Sequence, residues 1–278
     1  MAKMTIGSTI RLSSGREIPH LGFGVYQITK EETKASVLTA LSAGYRHIDT
    51  AQLYQNEIEV GQAIRESGIP RNQIFVTTKM MSDGKDLDSA RESIADSLRR
   101  LDIDYIDLYL IHEPRAGKTV RLAIWQALVE AKKAGKVRDI GVSNFNINHL
   151  EEIQEAGFEL PVVDQVELHP LDQQRPIVEW CNKHNIVVEA YCPLIRARFD
   201  IPVLQELVRK YNRGPAQILI RWSLQRGFIP LPRSSKAERI QSNADVFSFE
   251  LSLADVRSLD ALDKGDAGAI SWNPIHYD

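Results

Sequence analysis

Cysteine is almost missing from this chain: 2 of 278 residues, Cys181 and Cys192, with no Cys-x-x-Cys spacing. Two isolated thiols build neither a disulfide framework nor a thiolate metal site, so reduced cysteines in a reducing compartment are expected. Long apolar runs are missing as well. No stretch approaches the ~20 apolar residues of a membrane helix, and Met1-Ala2-Lys3-Met4-Thr5-Ile6 has no apolar core of a signal peptide. The expectation is a cytoplasmic protein with no membrane partner. Charge of one sign does not dominate either. Lys and Arg number 34, Asp and Glu 37, for a net charge of -3. Without a basic stripe, nucleic acid is excluded as the expected partner. No heptad pattern or apolar stripe argues for self-association, so a monomer is expected. No internal repeat, low-complexity linker or composition break divides residues 1–278, which predicts one domain.

What the chain does have is alternation. After a hairpin pattern around Ser13-Ser14-Gly15, strand-like runs fall at Leu21–Val25, His47–Asp49, Ile74–Thr78, Leu108–His112, Asp139–Val142, Val163–Glu167, Val187–Tyr191 and Phe228–Leu231. Helical patterns separate them, and glycines at 44, 68, 135, 157 and 227 stand where helices should stop. Eight strands alternating with helices predict a (β/α)8 TIM barrel, with an N-terminal β-hairpin and two extra helices at Val203–Asn212 and Leu253–Leu262. The rival, an open doubly wound sheet, wants a third glycine in the turn after its first strand. Gly22-Phe23-Gly24-Val25-Tyr26 lacks it.

In such barrels the chemistry sits at the C-terminal ends of the strands. Asp49, Lys79 and His112 each fall at a predicted strand end, and Tyr54 lies one short loop beyond the first of them. Each has an ordinary explanation alone: a helix cap, a surface ion pair, a core histidine, a rim aromatic. Together they make a proton-transfer set. A phenol of pKa ~10 is a weak acid at neutral pH, and a neighbouring ammonium is expected to lower that value. Asp49 offsets the lysine charge, and a neutral His112 can orient a substrate oxygen. The set contains no nucleophile and too few ligands for a metal. It suits protonation of an oxygen made negative by hydride delivery, which requires a cofactor. Ser143 and Asn144 are expected to end the fifth strand and Gln165 the sixth, and Tyr191 ends the seventh as a flat stacking surface. Arg233, Ser234, Arg239 and Asn243 surround a helix start after the eighth strand, a setting that favours phosphate.

Three stretches carry a resemblance to the aldo-keto reductase superfamily. They are Gly44-Tyr45-Arg46-His47-Ile48-Asp49-Thr50-Ala51 with Tyr54, Asn56 and Glu57; Ile140-Gly141-Val142-Ser143-Asn144-Phe145; and Ile229-Pro230-Leu231-Pro232-Arg233-Ser234-Ser235 with Arg239 and Asn243. The short loops are similar to the compact microbial branch that includes diketogluconate and conjugated-polyketone reductases. The resemblance implies NADPH-dependent reduction of aldehydes and ketones without metal. By position it implies a catalytic tetrad of Asp49, Tyr54, Lys79 and His112. Nicotinamide contacts would come from Ser143, Asn144, Gln165 and Tyr191, and adenosine 2′-phosphate contacts from Arg233, Ser234 and Arg239, with Asn243 near the adenine. Tyr26 and Glu113 are expected to line the substrate pocket. Glu113 stands where relatives often place tryptophan; alternatively it points away and pairs with Arg115 or Arg121. Two other readings compete: a metal-dependent barrel hydrolase, and a non-catalytic NADPH-binding regulatory or structural barrel.

Overall fold

The computed structural model describes residues 4–277. It begins with an antiparallel hairpin, β1 (Thr9–Arg11) against β2 (Glu17–Pro19). Eight parallel strands follow: β3 (Phe23–Gly24), β4 (His47–Asp49), β5 (Phe75–Met80), β6 (Ile106–Ile111), β7 (Val137–Ser143), β8 (Val163–Glu167), β9 (Val187–Tyr191) and β10 (Ile229–Pro230). Each pairs with the next, and the last returns to the first. Gly22 N–H donates to the Pro230 carbonyl and Gly24 N–H to the Pro232 carbonyl, both at 3.1 Å. This seam demands glycine: a Cβ on Gly22 would lie 2.4 Å from the Leu231 side chain and 2.7 Å from His47 Nδ1.

Helices α1 (Lys30–Ser42), α2 (Glu57–Glu66), α3 (Leu87–Leu101), α4 (Lys118–Lys133), α5 (Ile147–Glu155) and α6 (Arg175–Lys183) connect the strands in turn. Between β9 and β10 run α7 (Pro202–Tyr211) and α8 (Pro215–Gln225); after β10 come α9 (Ala237–Ala244) and α10 (Leu253–Asp260). The two additional helices expected from the sequence are α7 and α10. They pack on each other and on α8, and Lys210 of α7 pairs with Asp255 of α10 at 2.7 Å. Among the described residues no helix is long and apolar enough to cross a membrane.

The barrel is hydrophobic at one end and charged at the other. The hairpin closes the N-terminal end: Leu12 and Ile18 are buried against Phe75, Leu108, Leu110, Val163 and Ile229. Burying an aliphatic side chain stabilises by about 1.5–3 kcal/mol, so this plug holds the strands' starting ends together. The opposite ends are then free to carry polar side chains. Strand limits differ from the sequence expectation by a residue or two. Lys79 lies inside β5 rather than at its end, and His112 is the first residue beyond β6.

Candidate active site

Lys79 is the hub of the C-terminal end. It is fully buried on β5, which turns its side chain toward neighbouring β4. Its ammonium donates to Asp49 Oδ1 at 2.7 Å, to the Thr50 carbonyl at 3.0 Å and to the Tyr54 hydroxyl at 3.1 Å. Tyr54 closes a short 3-10 turn, Gln52–Tyr54. Gln52 pins that turn to α3 and β6 by donating to the Ser93 carbonyl, Ser97 Oγ and the Tyr109 hydroxyl at 2.8–3.0 Å. The His112 ring meets the Tyr54 ring edge-on, 5.7 Å between centroids. The four residues expected to form a tetrad are therefore brought together.

Burial and charge set their proton affinities. Desolvation works against the Lys79 ammonium, but Asp49 and Tyr54 outweigh it and raise its pKa above the usual lysine value. Burial, with Lys79 nearby, pushes His112 down to about 3, so its imidazole is neutral at physiological pH. Tyr54 corrects the sequence expectation. Burial pushes its phenol up to about 12, although Lys79 pulls the other way. Desolvation of the phenolate outweighs the neighbouring ammonium, whose charge Asp49 already offsets.

The second half of the barrel assembles the other expected group. Ser143 Oγ donates to the Gln165 carbonyl at 2.8 Å and accepts from Asn144 Nδ2 at 3.0 Å. Asn144 Nδ2 also donates to the His112 carbonyl at 2.9 Å, and Asn144 Oδ1 accepts from the Tyr191 hydroxyl at 2.8 Å. Asn144 adopts a left-handed backbone, φ 63°, which asparagine tolerates better than most residues. Gln165 points into the barrel, where its amide nitrogen donates to Asp49 Oδ2 at 2.9 Å and Glu189 Oε2 at 2.7 Å. Farther out, Arg233 and Arg239 are exposed on either side of the α9 start, which no side chain caps. Ser234 and Asn243 are buried beside it, and Arg233 donates to Gln27 Oε1 at 3.0 Å. Exposed guanidinium groups around free helix N–H groups match the chemistry of a phosphate.

The two expected pocket residues behave differently. Tyr26 is exposed at the mouth, its ring 5.0 Å from that of Tyr54. Glu113 is fully buried, accepting from Ser82 Oγ at 2.5 Å and from the Arg115 N–H at 2.8 Å. The expected pairing with Arg115 is present, its Nε lying 3.6 Å from Glu113 Oε2. A buried carboxylate needs donors, and the segments after β5 and β6 supply them. Sequence reasoning missed the C-terminal segment. Glu167 accepts the N–H groups of Ile270 and Ser271 at 2.6 and 3.0 Å, bringing Trp272 next to Tyr191, whose hydroxyl donates to the Trp272 carbonyl at 3.2 Å. His169, just past β8, has its Nε2 2.9 Å from Glu167 Oε1.

Comparison with known proteins settles the family. A model of the aldo/keto reductase family matches residues 20–264. The chain belongs to the aldo/keto reductase family. It is 45% identical over 258 residues to an aldo-keto reductase of Mycolicibacterium vanbaalenii, covering 92% of each chain. It is 41% identical over 264 residues to a glyoxal reductase of Bacillus subtilis, covering 94% of this chain and 95% of that one. Among solved structures, a Bombyx mori aldo-keto reductase in complex with NADP superposes with a TM-score of 0.90 at 34% identity, covering 99% of this chain and 98% of that one. As an aldo/keto reductase, this chain has an enzyme's fold and an enzyme's arrangement of buried charge.

Proposed function

We propose that this protein reduces small aldehydes and ketones to alcohols, with NADPH as cofactor and Tyr54 as proton donor. The observation that carries the reading is the Lys79 ammonium, held between Asp49 at 2.7 Å and the Tyr54 hydroxyl at 3.1 Å. A buried lysine is costly to maintain, and this one touches the Tyr54 phenol. NADPH, when bound, supplies the hydride. Ser143, Asn144 and Gln165 would hold its carboxamide, and Tyr191 would offer the nicotinamide a flat apolar face. Arg233, Ser234 and Arg239 would hold the 2′-phosphate, and Asn243 would lie toward the adenine.

The chain's own part is binding and proton movement. A substrate carbonyl entering past Tyr26 meets the Tyr54 hydroxyl and the neutral His112 ring. As its oxygen gains negative charge, Tyr54 passes its proton to it. The phenolate left behind is stabilised by Lys79, whose positive charge Asp49 secures. The high pKa of unliganded Tyr54 keeps the hydroxyl protonated across the physiological range, as a donor requires. In this reading the protein is a single barrel domain working as a cytoplasmic monomer, with no nucleic-acid or membrane partner. Nothing in the geometry favours a non-catalytic barrel, which has no use for a buried Lys79 beside Tyr54.

The test is direct. Purified protein with NADPH and methylglyoxal should consume reduced cofactor and form alcohol in equal amounts. No consumption across a panel of 2-oxoaldehydes, aliphatic aldehydes and ketones would overturn the proposal.

A further inference from the structure

Glu189 lies beneath the site and has no part in the chemistry above. It stands on β9 opposite Gln165 of β8, two residues before Tyr191, and is completely buried. A buried carboxyl group needs a partner. Its hydrogen bond comes from Gln165 Nε2, which reaches Glu189 Oε2 at 2.7 Å and Asp49 Oδ2 at 2.9 Å. The two N–H bonds of one amide thus go to two carboxyl groups.

That arrangement decides which way the amide faces. Carbonyl oxygen and amide nitrogen have nearly the same shape, so chemistry must distinguish them. A flipped amide would set its oxygen against both carboxyl groups and lose two hydrogen bonds to them. With both hydrogens committed downward, Oε1 is the end of Gln165 left free, and no hydrogen bond among the described residues uses it. Asp49 alone would anchor only one hydrogen, and its other oxygen is taken by Lys79. Glu189 supplies the second anchor and with it the plane of the amide.

We infer that Glu189 is a positioning residue that locks the Gln165 amide so that Oε1 presents an acceptor to the carboxamide NH2 of the bound cofactor. The inference rests on the NADPH reading above. Burial and the adjacent Asp49 hold the Glu189 carboxyl above the usual carboxylate range. His47, whose Nε2 is 3.7 Å from Glu189 Oε1, is kept neutral by burial and by Lys79, and adds no competing charge.

Two ligands separate this role from a merely structural one. NADPH carries the carboxamide; adenosine 2′,5′-bisphosphate has the same phosphate end and no nicotinamide. Calorimetry on Glu189→Met should show NADPH binding weakened about three- to tenfold, the value of one hydrogen bond of about 0.5–1.5 kcal/mol. Binding of the bisphosphate should stay within about twofold by the same reasoning, since no bond to it is lost. Glu189→Gln should restore NADPH binding, because its own amide oxygen can accept from Gln165. In a Gln165→Leu background, Glu189→Met should add nothing. If the methionine variant does not fold, Glu189→Thr, whose hydroxyl is too short to reach Gln165, replaces it in the same comparison. Unchanged NADPH binding in the folded variant, or equal losses for both ligands, would overturn the inference. Wild-type protein that binds the bisphosphate but not NADPH would instead overturn the reduction reading, and this inference with it.

Discussion

The two walls of the open end are built on opposite principles. On the β4–β6 wall, Asp49, Lys79 and His112 are buried and the Lys79 ammonium already has three partners. At the far edge of the other wall, Arg233 and Arg239 stand exposed around an uncapped helix start. The first wall is complete before anything binds. The second offers charge to a phosphate that must still arrive. The difference teaches where each kind of free energy resides. Proton transfer relies on interactions formed during folding, whereas cofactor selection relies on interactions formed during binding. Changes on the first wall should therefore affect stability and turnover, and changes on the second should affect affinity.

The sharpest way to break this contrast is Lys79→Met. It leaves Asp49 buried without its counter-charge, and breaking a buried pair costs about 3–5 kcal/mol. Urea denaturation should show a loss of that size together with loss of carbonyl reduction. Wild-type stability would mean that Asp49 is not held by Lys79. Arg239→Ala, on the other wall, should leave the unfolding curve unchanged and raise the Kd for NADPH by roughly tenfold or more, since a charge-assisted bond is worth about 1.5–3 kcal/mol. NADH binding should change little. Fluorescence titration showing equal losses for both cofactors would remove Arg239 from the 2′-phosphate site. The smallest functional effect is expected at Glu113. Because its carboxylate is buried and engaged by Ser82 and Arg115, Glu113→Gln should shift the preference between a carboxylate-bearing aldehyde and its neutral ester by less than about twofold, too little for a direct charge contact. A larger shift in relative kcat/KM would place that carboxylate back among the substrate contacts.

The barrel was readable in the sequence because its signals are local and repeated: apolar strands, helical spacing, glycines with positive φ at 44, 68, 135, 157 and 227. Asp49, Tyr54, Lys79 and His112 were readable because ionisable groups near strand ends have few structural uses there. Three features were not readable. The orientation of Glu113 depends on Ser82, which is remote in sequence and adjacent only after β5 and β6 pair. The direction of the Tyr54 shift depends on how deeply the folded chain buries the phenol, which no spacing encodes. The placement of Trp272 beside Tyr191 depends on Glu167 capturing the Ile270 and Ser271 N–H groups, a long-range bond to a segment without periodicity. In each case the missing information was a tertiary contact rather than a residue type.

The central claim is that the buried wall makes Tyr54 the acid for carbonyl reduction while the other wall binds the cofactor without using the Tyr54 hydroxyl. Tyr54→Phe tests both halves at once, since it removes one hydroxyl and leaves the ring and its neighbours in place. Measured side by side, kcat for methylglyoxal reduction should fall by at least ~10²-fold, as removal of a general acid does, while the Kd for NADPH stays at the wild-type value. Turnover at the wild-type rate with NADPH binding intact would contradict the account.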